Sequence, residues 1–188
     1  ERIRALGWRG PILLIEGVFD PRDLELCSRL GLWHTVHSDE QLDMLAGHKT
    51  LQPHKVFLKL NSGMQRLGFA PERLRAAYAR LQAMPQVDDI GLMTHFATAD
   101  VAVPGHEAAW QVFQTATADL PGERSVCNSA ALLRHPELAE QTDWVRPGIA
   151  LYGSSPDYPE HDIAHWNLQP TMSLRSALIS VRELQPGD

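Results

Sequence analysis

The segment Lys59-Leu60-Asn61-Ser62-Gly63-Met64-Gln65-Arg66-Leu67-Gly68-Phe69 sets one cation on an apolar run and a second on the glycine-containing loop that follows. In parallel α/β folds, ligands bind at the C-terminal ends of strands, so the pair is a candidate grip on an anion. Taken alone, two solvated charges around a glycine turn would account for Lys59 and Arg66; the whole string points further. His161 and His165 have the i, i+4 spacing that lets two imidazoles share a metal on a helix, but the stretch from Tyr158 lacks the glutamate of a His-Glu-x-x-His motif. It reads as a solvated loop or short helix, and no metal is expected. Cys27 and Cys127 lie far apart with no CxxC spacing, which disfavours a zinc ribbon or disulfide framework and leaves two small core residues.

The elements that would position these groups alternate along the chain. Ile12-Leu13-Leu14-Ile15 reads as a buried strand ending at Glu16-Gly17. Asp20-Pro21-Arg22-Asp23 then supplies a helix cap, a proline at the first helical position and an acid in the first turn. A second strand, Leu32 to His37, leads into Ser38-Asp39-Glu40-Gln41, which has capping-box spacing. Val56 to Leu60 forms a third strand, followed by a helix opened by Pro71 with Leu74, Ala77, Tyr78 and Leu81 on one face. A fourth strand runs from Ile90 to Phe96. A helix carrying Trp110 and Phe113, with Leu120 near the same face, comes next. Strands around Ser125-Val126-Cys127 and Ile149-Ala150-Leu151 complete six. Such a series predicts a parallel sheet in an α/β barrel or an open doubly wound fold. From Thr171 the rhythm changes: Met172 to Val181 is strand-like and Pro186-Gly187 a turn, so residues 171–188 read as the start of a second, β-rich domain after an α/β domain at 1–170.

Composition narrows the class. With 188 residues, 44% hydrophobic and 21% charged, the chain can bury a sizeable core. A formal charge of -6 gives no basic excess to meet a nucleic acid or an anionic membrane. No apolar run approaches the ~20 residues a membrane helix needs, and the N-terminal Glu-Arg-Ile-Arg is not a secretory leader. A cytoplasmic protein is expected. The start without Met and the end within a strand-and-turn region read as those of a piece of a longer protein.

The Lys59–Phe69 string resembles the segment after the fifth barrel strand of the alanine racemases, a pyridoxal-phosphate-dependent family. Gly91-Leu92-Met93-Thr94-His95-Phe96-Ala97-Thr98-Ala99-Asp100 resembles its sixth-strand motif. Asn128-Ser129-Ala130-Ala131 and Val145-Arg146-Pro147-Gly148-Ile149-Ala150-Leu151-Tyr152-Gly153 resemble the next two, in the same order. The resemblance implies a (β/α)8 TIM-type barrel, incomplete here at about six of eight βα units. It also implies interconversion of L- and D-alanine by a two-base mechanism on a Schiff base of pyridoxal 5'-phosphate, supplying D-alanine for peptidoglycan, in a homodimer. Arg66 would bond the cofactor's phenolic oxygen, with Met64 beside it facing the substrate. Lys59, carbamylated in many members, would hold that guanidinium; a carbamate turns like-charge repulsion into a charge-assisted pair. Arg146 would face the pyridine nitrogen, where a guanidinium can only donate, so the ring stays unprotonated. His95 would bond Arg146 and orient the catalytic tyrosine. Ser129 and the N–H groups of Gly148 and Ile149 would hold the phosphate, with Asn128 alongside.

Two features depart from the family. Asn61-Ser62 stands where Asp-Thr is common, which changes the charge around Lys59 and Arg66. Neither the Schiff-base lysine motif, of Lys-Ala-Asn-Ala-Tyr-Gly type, nor the catalytic tyrosine of the second domain is matched, so this polypeptide alone is expected to be inactive. By the same alignment, the first two barrel strands are absent. Three other functions stay open: a non-catalytic pyridoxal-phosphate-binding barrel, a serine or broad-specificity racemase, and a decarboxylase on a related barrel. Arg146 disfavours the last, which is expected to use a carboxylate at the ring nitrogen.

Overall fold

The structure, a computed structural model, describes residues 1–50 and 52–187. After a one-turn helix, α1 (Arg2–Ala5), strands and helices alternate. They are β1 (Leu13–Leu14), α2 (Pro21–Leu30), β2 (Trp33–Val36), α3 (Asp39–Gly47), β3 (His54–Lys59), α4 (Pro71–Gln82), β4 (Val87–Met93), α5 (Glu107–Thr117), β5 (Arg124–Asn128), α6 (Ser129–Arg134), α7 (Pro136–Ala139) and β6 (Trp144–Arg146). A 3-10 turn, Ile149–Tyr152, closes the series. The six strands form one sheet in sequence order, and every neighbouring pair is parallel.

The local signals act as their chemistry requires. Asp20 accepts from the Arg22 N–H at 2.8 Å, with Pro21 at the first helical position of α2. The helix ends at Gly31 in the left-handed region, φ 58°, where a Cβ would be strained. Ser38 caps α3 through the Gln41 N–H, but the Gln41 side chain does not return to Ser38. Its carbonyl accepts from the His37 N–H at 2.8 Å and its amide donates to the Val18 carbonyl, which ties α3 to the β1–α2 connection. In α4, Leu74, Ala77, Tyr78 and Leu81 are all buried.

Strand alternation gives the sheet two faces. Val56 and Leu58 of β3 pack into the core under the helices, whereas Phe57 and Lys59 face a cavity on the other side. The sheet curls strongly: the rings of Trp33 on β2 and Trp144 on β6, with three strands between them in sheet order, meet edge to face at 5.4 Å. This is a half-barrel of six parallel strands, an incomplete TIM barrel with helices outside and the concave face open.

Two stretches depart from the sequence reading. Ile149-Ala150-Leu151 is a 3-10 turn, and the sixth strand lies earlier, at Trp144–Arg146. The aromatic and β-branched pair Trp144-Val145 suits a strand, while Pro147 lacks the N–H that would extend the ladder. Residues 171–187 contain no strand, and Leu174, Leu178, Ile179 and Val181 are exposed. A strand needs a neighbouring strand for its N–H and C=O groups, and no described segment forms a ladder with this stretch. Asp188, the end of that stretch, lies outside the described residues.

Candidate active site

Lys59 ends β3 with only 4% of its surface exposed. Its ammonium has no hydrogen-bond partner among the described residues. Burial lowers its pKa, and the nearby Arg146 and Arg66 lower it further, with Glu16 partly opposing them. A neutral amine is therefore more accessible here than at an ordinary lysine.

The loop after Lys59 is held in shape by its own polar groups. Leu60 and Phe69 bridge, with the Asn61 N–H on the Phe69 carbonyl at 2.9 Å and the Phe69 N–H on the Lys59 carbonyl at 2.8 Å. Asn61 Oδ1 accepts from Gly63 and Gln65, each at 3.1 Å, and its Nδ2 donates to Gln65 Oε1 at 2.7 Å. Thr94 donates to the Leu60 carbonyl, so Ser62, 2.7 Å away, donates to Thr94. The Asn-Ser departure from the family thus builds the loop. An aspartate at 61 could accept the two backbone bonds but could not donate to Gln65. Gly68, φ +122°, permits the return: a Cβ there would lie 2.5 Å from the Asn61 nitrogen. Arg66 and Met64 project from this loop beside Lys59 and His95.

Arg146, the last residue of β6, is fixed by three acceptors. One amino group donates to Ser125 Oγ at 2.6 Å, and the other to the carbonyls of Thr94 at 2.6 Å and Val126 at 3.3 Å. Burial pushes its pKa down to about 10, so it still carries its charge at neutral pH. His95 Nδ1 lies 3.5 Å from the same guanidinium. Since the guanidinium is only a donor, Nδ1 accepts and the ring proton belongs on Nε2. His95 is pushed down to about 4 by burial, then by Arg146, Arg66 and Lys59, and is neutral at pH 7.

Asn128 caps α6, accepting from the Ala131 N–H at 3.0 Å and donating to the Phe96 carbonyl at 3.1 Å. Its amide is thus committed to the scaffold. The buried Ser129 accepts from the Ala150 N–H at 3.2 Å, which brings the start of α6 against the 3-10 turn and leaves its own proton free to donate. Gly148 donates to the Arg146 carbonyl at 2.8 Å, whereas the Ile149 N–H has no partner among the described residues. A Cβ on Gly148 would meet nothing within 4 Å, so the space over this turn is open.

Lys59, Arg66, His95, Arg146 and Gly148 line one cavity of about 560 Å³, walled on its other side by Trp33, Phe57, Trp144 and Leu13. Three basic groups facing a partly aromatic wall suit a flat ligand bearing negative charge. Ser125 was not legible as a site residue, although a hydroxyl on the strand beside Arg146 is a signal once β5 and β6 are paired. The aromatic wall left no local trace. The rings of His161 and His165 stack at 4.0 Å, and His161 bonds the buried Asp157, which Arg134, Ser155 and Trp166 also hold. Cys27 and Cys127 are buried in the core. No helix among the described residues is long and apolar enough to cross a membrane.

Fold and site together define a parallel half-barrel whose cationic side chains converge on one cavity at the C-terminal ends of its strands. Residues 1–156 match the family described as alanine racemase, N-terminal domain, and the chain belongs to the alanine racemase family. It is 68% identical over 190 residues to an alanine racemase of Variovorax paradoxus and 67% identical over 189 residues to one of Methylibium petroleiphilum, in each case over 100% of this chain and 51% of the relative. The biosynthetic alanine racemase of Pseudomonas aeruginosa superposes with a TM-score of 0.83 at 40% identity, over 89% of this chain and 46% of that one. That of Acinetobacter baumannii gives 0.81 at 37%, over 90% and 47%. The chain spans about half the length of the relatives it matches.

Proposed function

We propose that this chain supplies the cofactor-gripping barrel of a pyridoxal-phosphate-dependent alanine racemase, and that the activity belongs to the longer protein. The observation that carries this reading is the anchored Arg146 guanidinium lining the same cavity as Arg66 and Lys59. The donor set fits the cofactor. Ser129 O–H and Ile149 N–H, with the open space above Gly148, would receive the phosphate; Arg66 would meet the phenolic oxygen and Arg146 the ring nitrogen. When bound, pyridoxal phosphate draws electrons from the α-carbon of an attached amino acid and makes its proton removable.

The chain's own residues bias that chemistry. Arg146 can only donate to the ring nitrogen and so keeps it unprotonated, which restrains electron withdrawal and favours proton return over side reactions. Neutral His95 presents Nε2–H where a tyrosine from the second domain would need orientation. Met64, beside Arg66, faces the substrate. Lys59 as a carbamate, formed from its neutral amine and carbon dioxide with release of a proton, would replace a buried cation by an anion next to Arg66 and Arg146. The lysine and tyrosine that move the α-proton lie outside the residues matched here. Residues 171–188 open the β-rich domain, and the active site is completed in a cytoplasmic homodimer that makes D-alanine for peptidoglycan.

The test is racemisation of L- and D-alanine by the complete protein with pyridoxal phosphate. Arg146→Ala should lower kcat/KM for alanine by at least roughly 100-fold, the scale of losing one preorganised charge-stabilising donor. Unchanged racemisation by that variant, or none by the wild type, would overturn the reading.

A further inference from the structure

Outside the cofactor cavity, a buried and a half-buried imidazole meet, each with one buried nitrogen that bonds nothing. His106 caps the start of α5 and His135 joins α6 to α7; their ring centroids are 3.9 Å apart at an interplanar angle of 44°. His106 is only 7% exposed, and neither its Nδ1 nor His135 Nε2 has a hydrogen-bond partner. Burying an imidazole nitrogen unpaired costs free energy that a satisfied network avoids, so two such nitrogens side by side need a reason. Glu137, in the first turn of α7, brings a carboxylate oxygen 3.7 Å from His135 Nδ1. One ring nitrogen from each histidine and one Glu137 oxygen lie within 4.8 Å of one another.

We infer that His106, His135 and Glu137 form a binding site for a divalent transition metal of the zinc class, separate from the cofactor cavity. Two imidazoles and one carboxylate are a donor set for zinc and its borderline neighbours, whereas magnesium and calcium prefer oxygen alone. Zinc bonds of about 2.0–2.2 Å require the donors to close in slightly, which the exposed Glu137 side chain can do by rotation. Three protein ligands leave a fourth, solvent-facing position for water. Burial and then His106 lower the His135 pKa, with Glu137 partly opposing them, a shift toward the neutral form that binds metal. The ion would clamp the start of α5 to the α6–α7 turn. No local spacing announces it, because His106 and His135 are far apart in the chain and meet only where the start of α5 reaches the α6–α7 turn.

The probe is Co2+ added to the complete protein, read by its ligand-field bands at wavelengths beyond the cofactor's absorption, with Zn2+ as competitor. The wild type should develop bands that Zn2+ abolishes, and Zn2+ should raise its thermal midpoint. His135→Ala should lose both responses. Glu137→Gln, at an exposed position that leaves the fold intact, should weaken Co2+ binding at least about tenfold, the low end of the loss when only an outer partner of a ligand is removed. Racemisation should be unchanged in Glu137→Gln. Absence of bands in the wild type would sink the inference, as would identical Co2+ titrations for wild type and Glu137→Gln. Neither result would touch the cofactor assignment, which rests on other residues.

Discussion

Arg146 concentrates the residue-scale physics. Its guanidinium satisfies Ser125, Thr94 and Val126 at once, and a lysine there has neither the planar fork nor the reach to do so. Arg146→Lys should therefore leave at least one buried acceptor unpaired and cost about 1–3 kcal/mol, read as a lower urea midpoint at unchanged m-value. Lys59 yields a second residue-scale expectation: with 13C-labelled carbon dioxide, the wild type should show a carbamate carbonyl resonance that Lys59→Arg lacks. The lysine's burial and its two cationic neighbours are what favour the neutral amine. Arg146, Lys59, Arg66 and His95 were all legible in the sequence because their motifs are contiguous strings at strand ends. Asn61 was legible only as a departure. That its amide staples the loop depends on a bond to Gln65, a contact the one-dimensional spacing does not specify.

At the scale of elements, β2, β3 and the end of α3 enclose a second set of histidines. His34 and His54 are buried with rings 5.1 Å apart, and His48 lies 5.6 Å from His54. Four of their ring nitrogens lack partners. His34 is pushed down to about 3 by burial and then by His54, and His54 to about 4 by burial and then by His48, from an ordinary 6.5. Both folded values lie below the unfolded one, so as pH falls the unfolded chain takes up protons first. Their contribution is complete above about pH 6.5 and is lost toward pH 4, at up to about 1.4 kcal/mol per pH unit for each histidine. His34→Phe with His54→Leu should flatten this acid limb in urea titrations at pH 7 and 5; an unchanged slope would show that the pair takes up protons in the folded protein as readily as in the unfolded chain. His95 adds a slope of the same sign. The loop after β3 gives a sharper local test: Gly68→Ala forces a Cβ against the Leu60–Asn61 backbone and should displace Arg66, raising KM for alanine. Helices α2 to α5 and the first five strands were readable from caps, prolines and apolar period, whereas the short α1, α6 and α7 were not. The sixth strand was displaced because Ile149-Ala150-Leu151 looks β-prone locally, while Pro147 ends the ladder before it and the left-handed Gly153 closes it as a 3-10 turn.

Curvature is the property of the whole molecule. A flat sheet would hold β2 and β6 far apart, yet Trp33 and Trp144 touch, and Lys55 sits 4.2 Å above the Trp33 ring while pairing with Asp89 and Glu123. This cluster of aromatic and charged groups draws the concave face together, and a Trp33→Ala, Trp144→Ala double-mutant cycle should return a coupling of about 0.5–1.5 kcal/mol. No pattern in the sequence announces that contact, since the two indoles lie on distant strands and neither periodicity nor motif relates them. The anchoring of Arg146 has a further meaning for descent. Two of its three acceptors are main-chain carbonyls, which any amino acid at 94 or 126 would supply; the Thr94 and Val126 side chains serve the loop after β3 and the core instead. Only Ser125 contributes through its own chemistry. Side-chain substitution should therefore loosen the guanidinium directly at one neighbour alone, whereas changes at the other two would be felt through loop and core.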